Sequence, residues 1–311
     1  MMFKQVAMLL CVAAAAVVGF KWISAEPALS AELKPELTAA SAILMDADYG
    51  TVYYEMNADD ALPPASMSKM MTEIVLLDRI KDGSIAWDDK VTISAYAANV
   101  VGAGTGAAEG QQLTVRELFA AMTVHSANDA AVALAEHAAG TETRFVEWMN
   151  AKAQVIGLSQ RAFFANATGL SSADLVAFAQ AASHGETSLT ARDTAKLAAY
   201  LVNVYPDVLD VSKRSEVTVD QSRIVLSTTN MMLPGENHAY PGSDGLKTGY
   251  TQRAGYCFTG TAERNGKRLI AVVMGTPTSD ARFTETKKLF HYGFGRDTAD
   301  SWKAMLRAVL T

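Results

Sequence analysis

Residues 256–274 read Tyr256-Cys257-Phe258-Thr259-Gly260-Thr261-Ala262-Glu263-Arg264-Asn265-Gly266-Lys267-Arg268-Leu269-Ile270-Ala271-Val272-Val273-Met274. Two strand-like runs, Tyr256–Ala262 and Arg268–Met274, flank Asn265-Gly266. That pair is a strong hairpin signal, because a tight hairpin turn needs residues that tolerate positive φ. A helix is predicted next, over Ala281–Tyr292, covering the sheet. Near the other terminus, Ser41–Asp46 and Thr51–Glu55 read as two more strands joined at Asp48-Tyr49-Gly50, a second hairpin. Strands at both ends and helices between them predict an α+β fold: one antiparallel sheet built from the two termini, flanked by helices, with an inserted helical subdomain.

The helices follow from period and punctuation. Pro63-Pro64 bars helix, and Met67, Met70, Met71, Ile74, Val75 and Leu77 then recur at helical spacing to Ile80, closed by Gly83. Thr114-Val115-Arg116-Glu117 is a capping box opening Val115–Val124. Further helices are predicted over Asp129–His137, Glu142–Val155 before Gly157, and Thr190–Val204 before Pro206. Val91–Glu109 reads as irregular and Asn166–Thr187 as loop.

Composition removes several classes of function. Of 311 residues, 50% are apolar and 19% charged, which excludes a disordered chain. The net charge of −6 offers no basic face for phosphates, so no nucleic-acid partner is expected. The two cysteines, Cys11 and Cys257, form no Cys-x-x-Cys, and the five histidines no His-Glu-x-x-His, so neither a metal nor any other cofactor is expected. Gly102-Ala103-Gly104-Thr105-Gly106-Ala107 mimics a dinucleotide fingerprint, but no helix opens directly after it; it reads as a flexible loop at a cleft rim.

Residues 1–25 read as a signal peptide. Lys4 precedes the uncharged run Val6–Phe20, and Ile23-Ser24-Ala25 offers a cleavage site. Left uncleaved, the same segment is a membrane anchor. Cleavage leaves Cys257 alone, in an apolar run that predicts burial. Residues 26–39 read as a linker and 298–311 as a C-terminal tail whose Trp302–Leu310 is weakly amphipathic, a weak membrane contact at most.

Three short sets can carry chemistry. In Ser66-Met67-Ser68-Lys69 the lysine falls on the serine's helix face three residues on. A hydroxyl needs a base to attack near neutral pH, and lysine serves only if its pKa is driven down. Ser126-Ala127-Asn128 lies between two predicted helices, where a turn presents hydroxyl and amide to a cleft or merely caps a helix. Lys247-Thr248-Gly249 precedes the C-terminal hairpin. Lys247 and Thr248 offer a charge and a hydroxyl to a carboxylate, and Gly249 lets a substrate backbone approach the strand edge.

In this order the three sets form a known signature. From about Ala40 to Gly295 the sequence resembles the low-molecular-mass penicillin-binding proteins, the serine D-alanyl-D-alanine carboxypeptidases of peptidase family S11. The wider blocks Pro64–Thr72, Ser126–Ala130, Asn166-Ala167-Thr168-Gly169-Leu170 and Asp244–Thr251 carry the likeness. The resemblance implies a beta-lactamase/transpeptidase-like fold, a catalytic domain over 40–297 and an extracytoplasmic, envelope-associated protein. It implies a peptidoglycan stem peptide ending in D-Ala-D-Ala as substrate, and beta-lactams as inhibitors. Ser66 is then the nucleophile and Lys69 its base, with Lys247 lowering the lysine's pKa. Ser126 and Asn128 relay the proton and hold the substrate amide. Lys247, Thr248, Gly249 and Tyr250 bind substrate, and the N–H groups of Ser66 and Tyr250 form the oxyanion hole.

The pattern departs from the family in three places. Tyr250 stands where many relatives have His. No arginine lies between Arg223 and Lys247, so carboxylate binding falls to Lys247, Thr248 or Arg253. Too little chain follows the domain for both the beta-rich domain and the anchor helix of many relatives. Two alternatives remain: a beta-lactamase on the same scaffold, for which Glu142-Thr143-Arg144-Phe145 does not match the required Glu-x-x-Leu-Asn, and a catalytically silent peptidoglycan-binding protein.

Overall fold

The computed structural model describes residues 34–182, 185–219 and 224–310. The expected signal peptide, and the linker up to residue 33, lie outside the described residues. Residues 37–287 form one compact unit; residues 34–36 and 288–310 belong to another.

The unit 37–287 is organised on a five-stranded antiparallel sheet. Strands β1 (Ser41–Asp46) and β2 (Val52–Met56) make the first hairpin. Strands β7 (Ser243–Thr251), β8 (Gly255–Arg264) and β9 (Lys267–Thr276) make a meander. The order is β2-β1-β9-β8-β7, so β1 docks on β9 with Ile43 opposite Val272 and the two ends of the unit share a sheet. The β8–β9 turn is made by Asn265 (φ 54°) and Gly266 (φ 74°), the conformations that the Asn-Gly pair supplies. β7 is left as an edge strand.

Helices α1 (Lys69–Lys81), α2 (Ala95–Asn99), α3 (Val115–Val124), α4 (Asn128–Ala139), α5 (Glu142–Ile156), α6 (Ser172–Leu175), α7 (Ala191–Val204) and α8 (Val208–Ser212) lie between the two hairpins in sequence. The Thr114–Glu117 capping box forms with both reciprocal bonds, and Gly157 ends α5 in the left-handed conformation. One core cluster unites Ile43 on β1, Ile74 on α1, Phe119 on α3, Leu134 on α4, Phe145 on α5 and Leu197 on α7.

Several expectations are corrected. The first helix starts at Lys69, not Met67, because Ala65–Ser68 is a 3-10 turn. Val91–Glu109 is not irregular throughout: β3 (Lys90–Thr92) pairs with β4 (Gln112–Thr114), and Ser94 Oγ caps α2 by accepting from Ala97 N at 3.0 Å. The 166–187 stretch contains α6, capped by Ser171. The hairpin of β5 (Glu216–Val219) and β6 (Ile224–Ser227) had no turn signal to announce it. The last helix, α9, runs Ser279–Leu310 rather than stopping at Tyr292. Among the described residues no helix is long and apolar enough to cross a membrane.

Candidate active site

Ser66 sits in the 3-10 turn, entered through Ala65 at φ +49°. In a 3-10 turn residues three apart eclipse, so Lys69 stands directly over Ser66, with Nζ 2.9 Å from Oγ. The Lys69 side chain is fully buried (0% exposed). Nζ also donates to Asn128 Oδ1 at 2.6 Å and to the carbonyl of Thr168 at 2.8 Å. A neutral amine has two N–H bonds and one lone pair. The two carbonyl oxygens take both N–H bonds, which leaves the lone pair for the Ser66 hydroxyl proton. The constellation is therefore that of an amine able to act as base.

The Thr168 carbonyl is delivered by a turn that Asn166 builds. Its Oδ1 accepts from Thr168 N at 3.0 Å, Thr168 Oγ1 at 2.7 Å and Gly169 N at 2.7 Å. Thr72 Oγ1 holds the Ala167 carbonyl at 2.8 Å, which anchors the turn to α1. Gly169 (φ +78°) is obligatory: a Cβ there would lie 2.1 Å from the Ala65 carbonyl oxygen. Glu142, at the start of α5, accepts from Tyr96 Oη, Ala167 N and Ala182 N and pins both ends of the loop.

Ser126 adopts φ +68° in the turn between α3 and α4, and α4 begins at Asn128 with no side-chain cap. The capping alternative is thereby excluded. Asn128 bridges instead: besides bonding Lys69, its Nδ2 donates to Val101 O at 2.6 Å and its backbone N to Ala103 O at 2.7 Å. Asp129 takes Thr105 N and Oγ1, each at 2.7 Å. The glycine-rich loop is thus tied to the head of α4 rather than free at a rim. One backbone bond, from Thr229 N to Val124 O (3.2 Å), and one side-chain bond, from Thr248 Oγ1 to Thr229 Oγ1 (2.7 Å), link the end of α3 just before the Ser126 turn to β7.

On β7 the Lys247 side chain is buried (1% exposed) and Tyr250 is half exposed (52%), stacked on Tyr256 with ring centroids 4.4 Å apart. Gly249 is also demanded by the packing. A Cβ there would meet Pro64 O at 2.5 Å and Ala65 Cβ at 3.2 Å. The missing side chain admits the protein's own 3-10 turn, and among the described residues no further strand pairs with β7.

Burial drives the electrostatics. Desolvation first, then the charge of Lys247, holds Lys69 well below the usual lysine range, against the pull of Glu73 and Asp129. Burial lowers Lys247 to about 7, opposed by Glu73 and aided by Arg282. Burial raises Glu73 to about 7, opposed by Lys247, by a bond donated from Thr123 Oγ1 at 3.0 Å and by Lys69.

The expected cation Arg253 lies in the β7–β8 turn, 3.7 Å from Glu186. The strand ends at Thr251, so Arg253 lies beyond it. Arg282 on α9 is closer: Nη1 donates to the Gly249 carbonyl at 3.4 Å, and its guanidinium lies 5.6 Å from the Tyr256 ring centre. Arg282, Glu73, Asn166 and the Thr168 carbonyl were not among the expected site residues. Asn166 and Thr168 lie in a block the resemblance flagged; for Arg282 and Glu73 the sequence carries no motif.

Comparison with known proteins gives the family. The profile of the D-alanyl-D-alanine carboxypeptidase family matches residues 28–278. The chain is 34% identical over 261 residues to D-alanyl-D-alanine carboxypeptidase DacF of Bacillus subtilis, covering 83% of this chain and 62% of that one. It spans about two thirds or less of the length of several such curated relatives. The crystal structure of a peptidoglycan synthesis regulatory factor (PBP3) from Streptococcus pneumoniae superposes with TM-score 0.77 at 35% identity, covering 83% of this chain and 72% of that one. Penicillin-binding protein D2 from Listeria monocytogenes, in an ampicillin-bound form, superposes with TM-score 0.71 at 34% identity over 85% of this chain and all of that one. The fold is that of the penicillin-binding proteins, and the chain belongs to the D-alanyl-D-alanine carboxypeptidase family, peptidase family S11.

Proposed function

We propose that the protein is a serine D-alanyl-D-alanine carboxypeptidase that removes the terminal D-Ala from peptidoglycan stem peptides through an acyl-enzyme. The observation that carries this reading is Lys69 Nζ, 2.9 Å from Ser66 Oγ with its other two positions spent on Asn128 and Thr168. The stem peptide adds as a strand along the open edge of β7. Ser66 Oγ attacks the penultimate carbonyl carbon while its proton passes to Lys69 Nζ. The N–H groups of Ser66 and Tyr250 receive the oxyanion, a contact worth ~10²–10³ in rate per donor. Ser126, in the turn linked to β7, passes the proton on to the leaving D-Ala amine, and Asn128 fixes the substrate amide. Lys247, Thr248 and Arg282 hold the terminal carboxylate. Water then cleaves the acyl ester. A beta-lactam opens onto the same serine and stays.

Such a substrate places the protein outside the cytoplasmic membrane, in keeping with residues 1–25 as an export signal, and membrane contact is confined to that segment or to the tail. A beta-lactamase would need a carboxylate poised to activate the deacylating water. Glu142 is no such group, because its oxygens are engaged by Tyr96, Ala167 and Ala182.

The test is incubation with a pentapeptide stem, reading free D-alanine and the shortened peptide by mass. Wild type releases D-alanine and is labelled by fluorescent penicillin; Ser66→Ala does neither. Retained labelling of Ser66→Ala refutes the nucleophile, and rapid turnover of penicillin by wild type reverses the choice between carboxypeptidase and beta-lactamase.

A further inference from the structure

Past the end of β7 lies a cavity to which the mechanism above gives no task. It encloses ≈ 490 Å³, and Leu62, Pro63, Tyr250, Gln252, Arg253 and Tyr256 are among its lining residues. Tyr250 belongs both to β7 and to the cavity, so the cavity opens where the strand edge runs out at Thr251. Its walls differ in character. Leu62, Pro63 and the stacked rings of Tyr250 and Tyr256 offer apolar surface. Leu62 and Leu189 exchange two backbone bonds, of 2.9 and 3.0 Å, which lays the segment after Glu186 along this wall. Glu186 in turn stands 3.7 Å from Arg253.

At that distance the two form an ion pair without a hydrogen bond. The Arg253 side chain is 65% exposed, and among the described residues Glu186 is its one anionic neighbour. Glu186 is held from behind: its Oε1 accepts from Ser172 N at 2.9 Å and from Ser172 Oγ at 2.7 Å. Exposed pairs of this kind add little to stability, so both members can turn to a ligand at small cost. Arg253 brings planar paired donors suited to a carboxylate, and Glu186 brings an acceptor suited to an ammonium.

The direction of the substrate leads to this place. With the terminal carboxylate at Lys247 and Thr248 and the reacting carbonyl at the Tyr250 N–H, a stem peptide runs antiparallel to β7. The residue before D-Ala-D-Ala is then carried past Tyr250 toward Gln252 and Arg253. A long side chain on that residue meets apolar wall along its methylenes, then a cation and an anion side by side at its end.

We propose that this cavity is a subsite for the third residue of the stem, and that Arg253 and Glu186 select a side chain ending in both an amine and a carboxylate, as in meso-diaminopimelate, over one ending in an amine alone, as in lysine. The carboxylate pairs with Arg253 and the ammonium with Glu186, each end of the side chain taking the place of one half of the existing ion pair. The subsite deepens the carboxypeptidase reading above and rests on it.

The experiment measures kcat and KM for D-alanine release from four pentapeptides that differ only at the third residue: meso-diaminopimelate, the same residue amidated at its side-chain carboxylate, lysine, and Nε-acetyl-lysine. A hydrogen bond to a charged group governs a factor of about ten at a partly exposed site. Wild type should therefore prefer diaminopimelate to its amide and to lysine by about tenfold in kcat/KM, and lysine to acetyl-lysine by a smaller factor. The difference falls on KM, because the subsite grips ground and transition states alike. Arg253→Gln removes the preference for diaminopimelate over its amide, and Arg253→Lys restores part of it. Glu186→Gln keeps an oxygen for Ser172 and removes the preference for lysine over acetyl-lysine; if that variant does not fold, the arginine variants decide. Equal kcat/KM on diaminopimelate and its amide in wild type overturns the proposal. So does a preference that survives in Arg253→Gln, or a fall in that variant by one factor on all four peptides, which a merely structural arginine would give. No D-alanine from any of the four brings down the carboxypeptidase reading itself, whereas release without discrimination brings down the subsite alone.

Discussion

Substituting Gly249 by alanine tests whether the spacing between β7 and the nucleophile turn governs the chemistry. The backbone at Gly249 lies outside the left-handed region, so alanine brings no conformational strain and acts through its methyl group alone. That carbon would lie 2.5 Å from Pro64 O, where ordinary contact starts at 3.4 Å. The shortfall is 0.9 Å, and Pro64 O is backbone that cannot swing aside. Ala65 Cβ at 3.2 Å and Met67 Cγ at 3.3 Å close the other directions. The strand must therefore retreat from the Ser66 turn by most of an ångström. Overpacking of this kind costs about 1–3 kcal/mol, or a Tm lower by ~2–12 °C for a unit of this size. A displacement near 1 Å at a reacting centre costs ~10² in rate. Stopped-flow acylation by a fluorescent penicillin should fall by about that factor, with circular dichroism confirming a folded protein. Acylation at the wild-type rate with an unchanged Tm would falsify the claim that this contact sets the geometry.

Further substitutions probe the other walls. Asn128→Asp puts an anion against Lys69 Nζ, which raises the amine's pKa, so the acid limb of penicillin acylation should move to higher pH; an unmoved limb contradicts a lysine base bonded to this residue. Asn166→Ala orphans Thr168 N, Thr168 Oγ1 and Gly169 N, and should cost about 2–4 kcal/mol in urea unfolding together with a slower acylation, although Asn166 touches no substrate. Wild-type acylation in that variant refutes the part given to the Thr168 carbonyl. Stability should also depend on pH through Lys247. Its pKa is lowered by burial to about 7, so the unfolded chain takes up a proton from about pH 10.5 downward that the native state refuses until about 7. That contribution is full above pH 10.5 and is lost as pH falls toward 7; the urea midpoint of wild type should rise between pH 7 and 9.5 more steeply than that of Lys247→Met, and equal slopes refute it.

What the sequence discloses is what local chemistry decides. Asn265-Gly266 can hardly be anything but a tight turn, and Thr114–Glu117 writes out its own two capping bonds. Ser66, Lys69, Asn128 and Lys247 are legible because side-chain chemistry at fixed spacing leaves a pattern. The Thr168 carbonyl leaves none, since every residue has one; only the fold says which carbonyl meets Lys69. Arg282 comes from a helix after the meander, so its approach to Gly249 follows from sheet order rather than spacing. The apolar period runs on through Met67 and so points to a helix start two residues too early, while the backbone there is still turning as a 3-10 helix that brings Lys69 above Ser66.

The glycines show how one lysine can be enclosed by three distant segments. A fully buried amine needs acceptors on several sides, and no single stretch of chain can supply them. The acceptors come from α4 and the 166–169 turn, the like charge from β7, and the hydroxyl from the 3-10 turn. Each segment must press closer than side chains allow. A Cβ on Gly169 would lie 2.1 Å from Ala65 O, on Gly249 2.5 Å from Pro64 O, and on Gly102 2.7 Å from Asn128 Nδ2. In every case the obstructed atom belongs to the serine turn or to the amide that holds Lys69. Glycine beside a reactive group is readily taken as room for a ligand. Here it is room for the protein itself, and the lowered proton affinity of Lys69 is a consequence of how tightly these backbones close.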